Sequence, residues 1–120
     1  VALFAEAQAM LMECGFQPET AMDALKKIFL GNAKHVAQVG PVKALTGPVQ
    51  RGDVSTVAKH LSMLEKPKDR LLYLLLSERL MEVAKKGKAD YQEKAMRDLL
   101  DNSYSQLLAE EYSRLKGDRN

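Results

Sequence analysis

The residues best suited to chemistry lie in one short stretch, where an irregular segment leads into a helix. Arg51 carries a planar guanidinium whose N–H groups match a carboxylate or a phosphate. Asp53, Thr56 and His60 follow at i, i+3 and i+7 spacing, which places them on one face of a helix. His60 is the member of this set that titrates near neutral pH. We therefore take it as the candidate catalytic residue, acting in proton transfer.

The segment before this helix, "KALTGPVQRGD" at residues 43–53, has the composition of a constrained loop. Two triplets rich in glycine and proline, "TGP" and "RGD", bracket just two residues. A turn needs only one glycine or proline, so we expect an extended backbone with free N–H groups that attract an anion ahead of the helix. The predicted substrate-binding residues are Thr46, Gly47, Pro48, Arg51, Gly52, Asp53 and Thr56.

A purely structural interpretation of these residues stays open. A turn and a helix N-cap explain Gly52 and Asp53, with the Asp53 side chain accepting from the Thr56 amide. His60 then lies at the boundary between core and solvent. An integrin-ligand function for "RGD" is set aside, because this triplet runs directly into a helix instead of occupying a mobile loop tip.

Motifs of other chemistries do not occur. The chain has no glycine-rich dinucleotide fingerprint, P-loop, H-E-x-x-H or C-x-x-C motif. His35 and His60 lack metal-ligand spacing, so no metal site is predicted and the chain alone is not a complete enzyme. Cys14, the single cysteine, excludes an internal disulfide. We expect it to be a small buried residue of a protein in the reducing cytoplasm.

The composition is that of one globular domain spanning residues 1–120. The chain is 46% hydrophobic and 28% charged, and its net charge of +2 is spread along its length. A nucleic-acid partner is not expected, because such proteins concentrate basic charge on one face. A membrane partner is not expected either, because every apolar run is far shorter than the ~20 residues of a membrane span.

Helical periodicity runs through the chain without strand alternation, so we predict an all-α domain of five or six helices. These helices are expected up to Gly15, from Pro18 to Gly40, from Asp53 to Glu65, from Arg70 to Gly87, and from Asp90 onward. The sequence leaves open whether residues 31–32 end the second helix and whether "DNS" at 101–103 breaks the last one.

Two features indicate that the chain has partners. Leucines at 71, 72, 74, 75 and 76 surround their helix on nearly all sides, so this helix must be central to the domain or part of a subunit interface. Oligomerisation is predicted from this all-round hydrophobicity. An apolar helical pattern is also already running at Val1, without an N-cap, and we expect an additional segment upstream.

The stretch "KALTGPVQRGDVSTVAKHLSML", preceded by "MECGFQPETAMDAL", resembles the helical C-terminal domain called DUF2520. The best-matching part runs from Ala44 to Leu61, and a weaker helical resemblance covers nearly all of the chain. In that family the helical domain follows an N-terminal Rossmann domain that binds NAD(P). The family's defining residues correspond here to Thr46, Gly47, Pro48, Arg51, Gly52, Asp53, Thr56 and His60.

The resemblance implies an orthogonal helical bundle like the C-terminal domain of 6-phosphogluconate dehydrogenase, with ketopantoate reductase and pyrroline-5-carboxylate reductase as wider relatives. It also implies a homodimer that takes a small anionic substrate, with NADP or NAD bound mainly by a missing N-terminal domain and not by this chain alone. The expected function is the substrate-side and dimerisation domain of an NAD(P)-dependent oxidoreductase. The alternative is a stand-alone helical protein-interaction module with no catalytic role.

Overall fold

A computed structural model describes residues 1–117 as helices joined by short connections. Within this range no residue is in a strand, and the expected all-α class is confirmed. The seven helices of the described range are α1 (Ala2–Glu13), α2 (Pro18–Val39), α3 (Pro41–Ala44), α4 (Pro48–Arg51), α5 (Val54–Met63), α6 (Pro67–Gly87) and α7 (Glu93–Gly117). Five of them are the long helices that the periodicity predicts.

The other two helices, α3 and α4, are single turns inside the segment that was expected to be irregular. Each begins on a proline, whose fixed φ suits the first helical position and whose missing N–H costs nothing there. The two open questions are also answered. The second helix continues through residues 31–32, and the last continues through 101–103.

The chain divides into two compact units, of which the first comprises residues 1–44. In this unit α1 packs on α2, and the rings of Phe4 and Phe29 meet edge to face with centroids 5.6 Å apart. Ala21 is the one buried residue of the unit. The expectation of a buried Cys14 is wrong, because α1 ends at Glu13 and leaves this thiol exposed at its C-terminal end.

The second unit, from Leu45 onward, contains the hydrophobic core. Helices α4 to α7 all contribute to it, and its buried members are Val49, Val57, Leu61, Leu74, Met81, Met96, Leu100 and Leu107. The predicted apolar face of α5 is confirmed, because Val57 and Leu61 are buried while Val54 and Leu64 are half-buried. This packing holds the start of α5, and the loop before it, against a rigid support.

Helix α6 is covered on one side. Leu74 is only 3% exposed, whereas four leucines on the opposite side are 39–44% exposed: Leu72, Leu75, Leu76 and Leu80. We call these four residues the leucine face. None of the helices within residues 1–117 combines the length and the apolarity that crossing a membrane requires.

Candidate functional site

The loop before α5 is a helical turn closed by two glycines. Gly47 (φ +105°) precedes α4 and Gly52 (φ +70°) ends it, and both φ values favour glycine over other residues. The backbone N–H groups of Arg51, Gly52 and Asp53 donate to carbonyls of this turn at 2.8–3.1 Å. The expected extended backbone with free N–H groups is therefore wrong, because the chain uses these donors to close α4.

A buried side chain and a tyrosine hold α4 in place. Val49 is 5% exposed and belongs to the core of the second unit. The Tyr91 hydroxyl, in the connection between α6 and α7, donates to the Val49 carbonyl. Burial raises the pKa of Tyr91, and the charge of Glu93 raises it further, so the phenol keeps the proton that it donates. These two contacts tie the backbone of α4 to the core of the second unit.

Asp53 caps the N-terminus of α5, as the sequence predicts. Its carboxylate accepts hydrogen bonds from the Thr56 amide at 3.1 Å, the Thr56 hydroxyl at 2.7 Å and the Ser55 hydroxyl at 3.0 Å. These bonds, those from Thr56 first, hold the pKa of Asp53 below its usual value, and Arg51 adds a smaller attraction. The carboxylate also fills the position at the helix N-terminus that an external anion would otherwise take.

Arg51 is more open to solvent than its neighbour Asp53. Its side chain is 58% exposed, and its Nη2 lies 3.8 Å from the nearer carboxylate oxygen of Asp53. That contact is an ion pair without a hydrogen bond. The guanidinium therefore keeps its donors available to a carboxylate or a phosphate, while the neighbouring carboxylate limits the directions from which an anion approaches.

The remaining predicted substrate-binding residues differ in whether their side chains can contact a ligand. The Thr56 hydroxyl proton is committed to Asp53, so this hydroxyl meets a ligand only as an acceptor. Thr46 is exposed at the start of the loop, and Pro48 opens α4. The structure thus brings Arg51, Asp53 and Thr56 together, whereas the two glycines and Pro48 shape the backbone that carries them.

His60 has a partner that the sequence analysis did not identify. Its Nδ1 lies 2.8 Å from the Tyr73 hydroxyl oxygen of α6, and the two rings meet edge to face at 5.8 Å. Burial raises the pKa of Tyr73, and the side chain of Ser77, which is 3% exposed, partly opposes this shift. The sequence shows Tyr73 and Ser77 as an i, i+4 pair of polar residues within a leucine-rich helix. Nothing in the sequence connects this pair to His60.

Within residues 1–117, no group of three or more His, Cys, Asp or Glu side chains is arranged to hold a metal ion. The loop and the start of α5 present a cation and a capped carboxylate, and the last turn of α5 presents a histidine paired with a tyrosine.

Comparison with known proteins gives one match. The family described as Domain of unknown function (DUF2520) matches residues 1–80, which is two thirds of the 120 residues and includes every candidate site residue. No curated protein and no solved structure matches the chain.

Proposed function

We propose that this chain, which belongs to the DUF2520 family, is the substrate-side and dimerisation domain of an NAD(P)-dependent oxidoreductase. The observation that carries this proposal is an exposed guanidinium, that of Arg51, on a loop that its own core and Tyr91 hold rigid. A loop that is ordered before binding loses little conformational entropy when a ligand binds. Most of the free energy of a single charged contact then contributes to affinity.

In this proposal the substrate is a small anion, and NADP or NAD is bound by a domain upstream of this chain. Arg51 holds a carboxylate or phosphate of the substrate. Thr56 acts through Asp53. Its hydroxyl donates a hydrogen bond to the Asp53 carboxylate, so this carboxylate competes less strongly with the substrate for Arg51. His60 supplies the titratable group near the reacting atoms. The exposed free thiol of Cys14 is compatible with a reducing cytoplasm, where we place the protein.

The role of Arg51 is tested in the protein expressed from its complete reading frame. NADPH oxidation is measured against a panel of small carboxylates and phosphate esters for wild type, Arg51→Ala and Arg51→Lys. We expect Arg51→Ala to raise KM about 10–100-fold, the cost of one lost charged hydrogen bond or more. Arg51→Lys retains part of the affinity, because it keeps the charge and loses the two-pronged geometry.

Lys59→Ala is the matched control, since it removes an exposed cation of α5 that lies away from the loop. We expect its KM to equal that of wild type. An unchanged KM and kcat in Arg51→Ala would show that the loop does not bind the substrate.

The dimerisation part of the proposal is supported by the leucine face of α6. Exposed leucines on one face of a long helix lose contact with water when a second copy packs on them, which is favourable by roughly 25 cal/mol per Å² of apolar surface. The same face favours a second candidate function, a stand-alone module that binds another protein. The two functions differ in cofactor binding, because only an oxidoreductase requires NADH or NADPH.

A further inference from the structure

The pairing of His60 with Tyr73 affects which imidazole nitrogen a ligand can contact. The imidazole is exposed on α5, and its Nδ1 is occupied by the Tyr73 hydroxyl at 2.8 Å. The perpendicular ring arrangement, 87° between planes, limits rotation of the imidazole about its own axis. Nε2 is therefore the nitrogen left for any ligand, since no described residue hydrogen-bonds it.

The direction of the hydrogen bond follows from the chemistry of its two partners. A phenol is a good donor and a weak acceptor, whereas the unprotonated nitrogen of imidazole is a strong acceptor. Burial of Tyr73 raises its pKa and keeps its proton in place, although the Ser77 side chain partly opposes this effect.

We propose that Tyr73 is a positioning residue that holds neutral His60 in the tautomer with its proton on Nε2. His60 then presents an N–H donor, and not a lone pair, to whatever occupies the site. When His60 is protonated, Nε2 still carries its proton. The side chain is therefore a donor in both charge states, suited to an anionic or carbonyl oxygen, and it does not act as a general base through Nε2.

This inference deepens the proposed function, on which it rests for the identity of the ligand. Arg51 precedes the first turn of α5 and His60 lies in its last turn, so the two ends of this helix offer two kinds of donor, a guanidinium and an imidazole N–H. A reaction that needs a group near the substrate oxygen to donate a hydrogen bond fits this arrangement. A reaction that needs His60 to abstract a proton through Nε2 does not.

The test reads the tautomer directly and needs no ligand. The protein is labelled with ¹⁵N-histidine, and long-range ¹H–¹⁵N spectra are recorded at a pH where His60 is neutral. We expect wild-type His60 to show an unprotonated Nδ1 and a protonated Nε2. In Tyr73→Phe, which keeps the ring and its packing, we expect a mixture of both tautomers in fast exchange.

Two controls accompany this experiment. Tyr104→Phe removes the hydroxyl of an exposed tyrosine on α7 and leaves the His60 signals at their wild-type positions. The second histidine of this chain, His35, lies on α2 and reports any general perturbation.

A wild-type His60 with its proton on Nδ1 would overturn the inference, and so would a Tyr73→Phe spectrum identical to that of wild type. Either result leaves the proposed function standing, because that function is judged by cofactor binding and by the Arg51 variants. Conversely, a confirmed tautomer in a protein that binds no NADH or NADPH would sustain the role of Tyr73 and reject the oxidoreductase.

Discussion

Arg51 and Asp53 are neighbours in one loop, yet their side chains differ in freedom. The Asp53 carboxylate accepts hydrogen bonds from Thr56 and Ser55. Arg51 is 58% exposed, and its contact with that carboxylate is a 3.8 Å ion pair. The helix-cap interpretation that the sequence left open is confirmed at Asp53, whereas anion binding stays a prediction that rests on Arg51.

The cap makes stability depend on pH. Because the folded-state pKa of Asp53 is depressed, its contribution is present above the unfolded-state value and is lost as pH falls through the folded-state value. Asp53→Asn keeps an acceptor for the Thr56 amide and removes the charge. We expect a lower melting temperature than wild type at neutral pH, and a difference that vanishes in acid.

Thermal unfolding followed by circular dichroism over a range of pH checks this prediction. Asp101→Asn, at an exposed aspartate of α7, is the control and should follow wild type throughout. A melting temperature of Asp53→Asn that stays equal to that of wild type at neutral pH would contradict the role of the charge.

The glycine that ends α4 offers a second prediction. Gly52 has φ +70°, and a Cβ added there meets no atom within 4 Å, so any cost of Gly52→Ala is conformational and not steric crowding by neighbours. We expect a loss of about 1–2 kcal/mol in the free energy of unfolding. Gly31→Ala, inside α2 and equally uncrowded, should gain about 0.5–1 kcal/mol.

Denaturant titration of both variants measures these free energies. Opposite signs support the account, since the same substitution is made in two different backbone conformations. A neutral or stabilising Gly52→Ala would show that the turn does not require its left-handed residue.

Among the elements, α5 was the most predictable from sequence and the loop before it the least. The Asp53 cap and the apolar face of α5 depend on residues within a few positions of one another, so spacing alone identifies them. A four-residue helix has no period to detect, and its shape depends on the distant Tyr91. The contact of His60 with Tyr73 likewise depends on how α5 and α6 pack, which is a tertiary property.

A network of charges joins helices α6 and α7. The Glu93 carboxylate pairs with Lys85 and lies 3.3 Å from Arg97, and Arg97 also pairs with Glu82 at 3.1 Å. Lys85 first, and then Arg97, hold the pKa of Glu93 below its usual value. The network therefore stabilises the folded state above the unfolded-state pKa of Glu93, and this contribution disappears as pH falls.

Glu93→Gln should lower the melting temperature at neutral pH and approach wild type in acid or at high salt, because salt screens such pairs. Glu78→Gln is the control, at an exposed glutamate of α6. The same melting curves provide the measurement. A deficit of Glu93→Gln that persists unchanged at low pH would mean that side-chain packing, and not charge, accounts for the effect.

At the scale of the whole molecule, the leucine face is the surface on which the proposed dimerisation depends. We expect sedimentation to show a dimer, and the double variant Leu72→Glu/Leu76→Glu to be a monomer with unchanged helical content, because its charges repel across the interface. Leu108→Glu, at an exposed leucine of α7, should remain a dimer. A monomeric wild type would contradict the proposed dimerisation surface.

The most direct test of the central claim is whether the protein expressed from its complete reading frame binds a nicotinamide cofactor. Titration with NADPH and NADH, followed by the fluorescence of the reduced nicotinamide, measures this binding. The oxidoreductase account predicts saturable binding of one of them by the complete protein and none by residues 1–120 alone. If the complete protein binds neither cofactor, the oxidoreductase account is wrong and the alternative, a helical protein-interaction module, takes its place.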